Sequence, residues 1–190
     1  MAEDCERVLE RVMSLLKERG ASDVVLVDSG DIVVDERVRL KCRVPVCDSY
    51  GKNLMCPPFV PSVAEFRKAL RNYCHGILIQ VSDELNETSV NAPTEEVLLP
   101  ARKLHELVNM GEREAFTAGF RFAAGFIGGC CRLCDECVVL QGGTSCRFPF
   151  KARPSMEAMG IDVAATAEKA GLSVSFPIRN KVTWTGLILL

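Results

Sequence analysis

The sequence predicts an α+β fold. It reads as one domain over residues 1–190, with a mixed or antiparallel sheet, packed helices and two Cys-rich metal-binding loops at 42–61 and 128–154. Three observations predict this. Amphipathic helical periods and short β-branched runs follow one another in mixed order, without the regular strand–helix alternation of a doubly wound sheet. A length of 190 residues suits one compact domain, which at this size buries about 70% of its unfolded surface without covalent staples. Against that background ten cysteines are an excess, and most of them fall in the two irregular segments.

The elements follow in order. Val8, Leu9, Val12, Leu15 and Leu16 recur at helical spacing, so residues 3–19 form a helix that ends at Gly20. Val24–Val27 and Ile32–Val34 are β-rich runs joined by Asp28-Ser29-Gly30-Asp31, the pattern of a hairpin. Val38-Arg39-Leu40-Lys41 alternates and delivers the chain to Cys42. After the first loop, Ser62 and Glu65 form a capping box, and Phe66, Ala69, Leu70 and Tyr73 give the buried stripe of a second helix. Ile77–Val81 is a short apolar strand, and 83–93 is a polar surface loop.

Residues 95–118 carry a long helical pattern with Pro100 near its start and an inner stripe of Leu104, Val108, Gly111, Ala115 and Ala118. Phe120–Ile127 reads equally as a strand or a continuation of that helix. Ser155 and Asp162 are N-caps of two short helices ending at Gly160 and Gly171. Val174, Phe176 and Ile178, then Val182 and Trp184, alternate across Arg179-Asn180-Lys181 as a terminal hairpin.

Composition narrows the function. Apolar residues make up 48% of the chain and the net charge is −2, which excludes disorder. No apolar run approaches the ~20 residues a membrane helix needs, and Thr185–Leu190 reads as a last strand. The acidic start, Met1 to Arg7, lacks the basic and apolar parts of a secretory signal, so the expected location is the cytoplasm. In that reducing compartment clustered cysteines hold metal or do redox chemistry more often than they form disulfides. With 23 basic against 25 acidic residues, nothing points to nucleic acid as a partner.

The stronger cysteine group is Cys131-x2-Cys134-x2-Cys137-x8-Cys146, followed by Arg147-Phe148-Pro149. Cysteines at i, i+3 and i+6 let one loop wrap three corners of a 4Fe–4S cubane, with the fourth ligand supplied from further along. A structural zinc site usually pairs two separate C-x2-C knuckles, and remains the alternative. Gly128, Gly129, Gly142 and Gly143 bracket the loop and would bring backbone amides close to sulfur. Cys130 adjoins Cys131 and is out of phase with the motif. It reads as a small core residue, a reactive thiol or a ligand of the other group.

That other group is Cys42-x4-Cys47-x8-Cys56-Pro57-Pro58, where a proline turns the chain away after the last cysteine. It would hold a second cluster. Its fourth ligand is open between Cys74, His75, Cys130 and none, the last leaving one iron free for a substrate. Cys5 is a plain core or surface thiol. Arg132, Arg147, Lys151 and Arg153 flank the second group, against Asp135 and Glu136 within it. Such cations stabilise an anionic cluster, form a rim for a protein redox partner, or are solvated loop charges.

Together these residues resemble a known family. Cys42, Cys47-Asp48-Ser49-Tyr50-Gly51, Cys56-Pro57-Pro58, the Cys131/Cys134/Cys137 run, Cys146-Arg147-Phe148-Pro149 and the segment from Ala152-Arg153-Pro154-Ser155-Met156-Glu157 to Val163 carry the likeness. The chain is similar to the prokaryotic predicted metal-binding proteins of domain of unknown function 2284. The resemblance implies cytoplasmic proteins in which Cys42, Cys47, Cys56, Cys131, Cys134, Cys137 and Cys146 are the motif positions, with Cys5, Cys74 and Cys130 peculiar to this sequence. It implies metal and leaves the reaction open.

Pro154 and Ser155 read as a helix entry with Glu157 in its first turn; the functional alternative has Arg153, Ser155 and Glu157 binding a polar ligand beside the metal. His105 lacks the second histidine of a zincin and reads as partly exposed, and no phosphate loop, nucleophile elbow or nucleotide fingerprint occurs. The sequence therefore predicts an iron–sulfur protein of electron transfer or of an anaerobic redox enzyme. The alternatives are a structural zinc interaction module and an enzyme with an open iron.

Overall fold

Four strands, β1 (Asp23–Asp28), β2 (His75–Glu84), β3 (Ala124–Phe126) and β4 (Lys181–Leu189), form one antiparallel sheet in the order β1-β2-β4-β3. This is a computed structural model, and it describes residues 2–85, 95–174, 178 and 180–190. Five helices complete it: α1 (Ala2–Glu18), α2 (Glu36–Leu40), α3 (Val63–Leu70), α4 (Glu95–Thr117) and α5 (Val163–Lys169). The fold is α+β. Among the described residues no helix is long and apolar enough to cross a membrane.

The sheet is covered on both faces. Successive residues of a strand point to opposite sides, so the continuous run Ile77-Leu78-Ile79 splits its side chains between two cores. Ile77, Ile79, Val81 and Ile188 pack with Leu9, Val12 and Leu16 of α1 and with Leu104, Leu107 and Val108 of α4. Leu78, Leu187 and Leu189 pack with Phe66 and Leu70 of α3 and with Met156, Met159 and Ile161. Gly111 lets α4 come close: a Cβ there would stand 2.6 Å from Ile188 Cδ1 and 3.2 Å from Leu16 Cδ2. The capping box of α3 forms as expected, with Ser62 and Glu65 exchanging bonds. Val63 takes the buried place expected of Ala69, which is exposed.

Several local expectations give way to long-range pairing. Val24–Val27 and Ile32–Val34 do not form a hairpin. β1 pairs with β2, and Val34 makes a single bridge to Ile161. The turn between the two runs is a 3-10 helix, Ser29–Asp31, which redirects the chain away from the sheet. Val38–Lys41 is helical because Asp35 caps Glu36–Leu40 by accepting from the Arg37 amide at 2.8 Å. β2 runs three residues beyond Val81, through Asp83 and Glu84 of the expected polar loop; 86–94 lie outside the described residues. Ala124–Phe126 is a strand. The first arm of the expected terminal hairpin falls partly outside the described residues, and β4 pairs with β2 and β3. Of the two short helices, Asp162 caps α5, while 157–159 is a single 3-10 turn closed by Gly160 at φ +83°.

Candidate metal centre

Both cysteine-rich segments are irregular, and they meet. The first leaves α2 and proceeds as a chain of turns, several of them begun or ended on a cysteine. The Cys47 amide bonds the Cys42 carbonyl at 3.1 Å, Tyr50 bonds Cys47 at 3.0 Å, Cys56 bonds Asn53 at 2.9 Å and Phe59 bonds Cys56 at 3.0 Å. Asn53 folds its own turn, its Oδ1 accepting from Met55 at 2.9 Å, while its Nδ2 donates to the Cys131 carbonyl at 2.8 Å. The neighbouring Leu54 amide donates to Cys137 Sγ at 3.4 Å. The first loop thus delivers two donors to the second.

The second loop enters from β3 through Gly128 and Gly129, which the packing requires. A Cβ on Gly128 would lie 3.0 Å from the Thr185 carbonyl oxygen, and one on Gly129 would lie 2.8 Å from the Trp184 ring. Gly129 also has φ +68°, a conformation side chains resist. Its amide donates to Glu157 Oε2 at 3.4 Å. Gly142 and Gly143 close the 3-10 turn Val138–Gln141 by bonding Val139 and Val138. The glycines therefore shape the loop without donating to sulfur. Amides of Leu54 and Phe148 reach candidate ligand sulfurs, the latter donating to Cys146 Sγ at 3.3 Å, and the Leu133 amide acts on Cys131 against the effect of burial.

The thiols fall into two neighbourhoods. Burial pushes the Cys56 thiol up to about 12, and the nearby sulfurs of Cys130, Cys47, Cys42 and Cys131 add to the rise, in that order. Cys42 is raised by burial and then by Cys47. Cys131 is also raised chiefly by burial, and its further sulfur neighbours are Cys146, Cys134 and Cys130. Cys130, out of phase in sequence, acts on Cys56 of the first group and on Cys131 of the second. The signal for this in the sequence is the doublet Cys130-Cys131 itself.

Cys74 and His75 are elsewhere. Cys74 precedes β2 and His75 begins it, opposite Asp28, whereas Gly128 abuts Thr185, the partner of Gln80. Five residues of strand separate those levels, roughly 16 Å at ~3.3 Å each. Cys5 packs at the edge of the α1–α4 core.

The flanking charges are mostly engaged. Arg132 donates to the Cys130 carbonyl at 2.9 Å and lies over the Trp184 ring, and Arg147 donates to the Glu136 carbonyl at 2.8 Å. Arg153 forms a two-point pair with Glu112 at 2.5 and 2.9 Å, and Glu112 also accepts from Gly125 of β3 at 3.0 Å. Ser155 is buried and caps Ala158, and Glu157 holds Gly129, so Arg153, Ser155 and Glu157 have structural partners. His105 is buried at 5% exposure, correcting the expectation of a partly exposed residue. Sequence reading missed Asn53 and Glu112, since neither stands in a motif.

Among the described residues, no three His, Cys, Asp or Glu side chains are gathered closely enough to hold a metal ion. The donor chemistry nevertheless fits a soft one. Thiols are the donors offered at both neighbourhoods, and thiolate suits iron–sulfur or zinc rather than hard cations. A thiol as hard to ionise as Cys56 is a poor free nucleophile, whereas a metal displaces its proton on binding. In comparison with known proteins, residues 25–190 match the family model described as a predicted metal-binding protein (DUF2284). No curated protein and no solved structure matches.

Proposed function

Because the chain belongs to the DUF2284 family of predicted metal-binding proteins, we propose that it is an iron–sulfur protein of the cytoplasm, exchanging electrons with a protein partner or within an anaerobic enzyme system. In this reading Cys131, Cys134, Cys137 and Cys146 hold one 4Fe–4S cluster. Cys42, Cys47 and Cys56 hold a second centre, completed by Cys130.

One observation carries the reading. The cubane-type spacing of the second group is combined with backbone amides directed at two of its sulfurs, Cys137 and Cys146. Hydrogen bonds to cluster sulfur withdraw charge and raise the reduction potential, a function that free buried thiols do not need. The clusters would supply one-electron chemistry. The chain's own residues shape the thiol-bearing loops through Asn53 and Gly129.

The test is anaerobic purification followed by iron, zinc and acid-labile sulfide analysis. About eight irons and eight sulfides per chain are expected for two cubanes. A colourless protein with stoichiometric zinc and no sulfide would overturn the reading and leave a structural zinc module in its place.

A further inference from the structure

Arg39 stands in the last turn of α2, partly buried, three residues before Cys42, whose amide donates to the Arg39 carbonyl at 3.1 Å. Its guanidinium donates to the Pro61 carbonyl at 3.1 Å and, through the same nitrogen, to the Ala158 carbonyl. Pro61 closes the first cysteine-rich loop, so one side chain joins the exit of that loop to its entrance. It also ties both to the 3-10 turn at 157–159. Cys42, Cys47 and Cys56 all lie on the stretch closed in this way.

The two carbonyls engage the guanidinium without neutralising it. Other arginines nearby do find carboxylates, Arg37 pairing with Asp35 at 2.6 Å and Arg67 with Glu36 at 3.7 Å. Among the described residues no acid lies within ion-pair distance of Arg39. Glu157, next in the chain to Ala158, is turned to the Gly129 amide. A cation that is partly withdrawn from water without a counter-charge costs free energy.

A thiol lies within reach of that charge. Burial raises the Cys42 thiol first and Cys47 second, with a smaller rise from Glu157, and the Arg39 charge acts against all three. A metal–thiolate centre on these cysteines is anionic, which is the counter-charge that Arg39 lacks.

We propose that Arg39 is the positioning residue that offsets the negative charge of the metal–thiolate centre on Cys42, Cys47 and Cys56, and so sets how tightly that centre is held and how readily it is reduced. The proposal rests on the reading of those cysteines as ligands, and it gives a role to a residue outside both cysteine groups. A fixed cation beside the centre lowers the energy of its more negative state, so uptake of one electron becomes easier. Metal uptake, which exchanges thiol protons for an anionic centre, is favoured in the same sense. The bonds to Pro61 and Ala158 hold the charge at the neck of the loop.

The test uses the full chain purified anaerobically, as Arg39→Gln, which removes the charge and keeps a donor, and as Arg39→Lys, which keeps the charge. Iron, zinc and sulfide contents are read first, and Cys47→Ser identifies the signal of the first centre. In an iron–sulfur protein, redox titration followed by electron-paramagnetic resonance should find this centre about tenfold harder to reduce in Arg39→Gln, a fall of about 59 mV for one electron. Arg39→Lys should show less than about half of that shift. A protein that instead holds zinc, as purified or after reconstitution, overturns the iron–sulfur reading and not this one. Chelator competition should then show zinc bound about tenfold more weakly in Arg39→Gln and close to the parent in Arg39→Lys. Parent-like potential or affinity in Arg39→Gln overturns the proposal, as do equal shifts in the two variants, which would leave Arg39 a hydrogen-bonding role alone. If Arg39→Gln fails to retain metal, retention by Arg39→Lys supports the charge and loss in both overturns it. A chain that takes up neither iron nor zinc overturns both readings.

Discussion

The side-chain amide of Asn53 donates to the main-chain carbonyl of Cys131 at 2.8 Å, joining loops 78 positions apart in the chain. The same residue shapes its own turn through Met55, so its two ends set the first loop's conformation and its docking. Asn53→Ala should cost about 1 kcal/mol, the usual net worth of such a bond. It should also speed amide exchange at Leu54, whose N–H reaches Cys137 Sγ. Exchange mass spectrometry checks this. Unchanged protection in both loops would show that the contact does not couple them.

Cys130 and Cys74 make opposite predictions. Burial and then Cys130 raise the Cys56 thiol, while Cys74 is exposed just before β2. Replacing Cys130 by Ser should lower iron content or shift the electron-paramagnetic signal of one centre. Replacing Cys74 should change neither. Loss of iron in Cys74→Ser with full retention in Cys130→Ser would assign the fourth position the other way.

The Glu112–Arg153 pair ties three parts of the fold together, because Glu112 on α4 also holds the Gly125 amide of β3. Both side chains are under one-fifth exposed. Glu112→Ala would leave the guanidinium enclosed without its counter-charge, costing about 3 kcal/mol or more. Glu112→Gln, which keeps an acceptor oxygen, should cost less. Urea unfolding of the two variants gives the ordering, and equal losses would mean that the charge contributes little.

What could be read from the sequence was local, and what could not was long-range. The capping box at Ser62 and Glu65 is written in four residues, and it forms. The two Ile and Val runs around Gly30 carry hairpin chemistry, yet β1 found its partner far along the chain, where Asp23 is opposite Gln80. Pairing with β2 and burial of Val24 and Val27 outweighed the nearby turn. Cysteine spacing gave the groups but not their contact. That contact runs through Asn53, a residue with no periodic or motif signature.

Gly111 shows packing outweighing propensity. In a helix Ala is favoured over Gly by about 1 kcal/mol, so Gly111→Ala looks stabilising from sequence. In the fold the added Cβ would sit 2.6 Å from Ile188 Cδ1, at the point where α4 crosses β4 and α1. Overpacking of this kind costs about 1–3 kcal/mol, enough to cancel or reverse the gain. The variant should be no more stable than the parent in urea, and a gain near 1 kcal/mol would show that the core can yield.

His105 should make stability fall in mild acid. Its Nε2 bonds the Lys151 carbonyl, which only accepts, so that nitrogen carries the proton of a neutral ring. Burial holds its pKa below the ordinary value, with the Arg153 charge acting the same way, against weaker opposing effects of the Lys151 bond and Glu106. The unfolded chain therefore binds a proton near pH 6.5 that the folded chain refuses. Stability from this group is full above that pH and is lost as pH falls through the lower, folded value. The slope reaches at most about 1.4 kcal/mol per pH unit for one proton. His105→Gln keeps a donor for the carbonyl and removes the titration. Its stability profile between pH 8 and about pH 5 should be flatter than the parent's, and parallel profiles would show that the buried ring accepts its proton without cost.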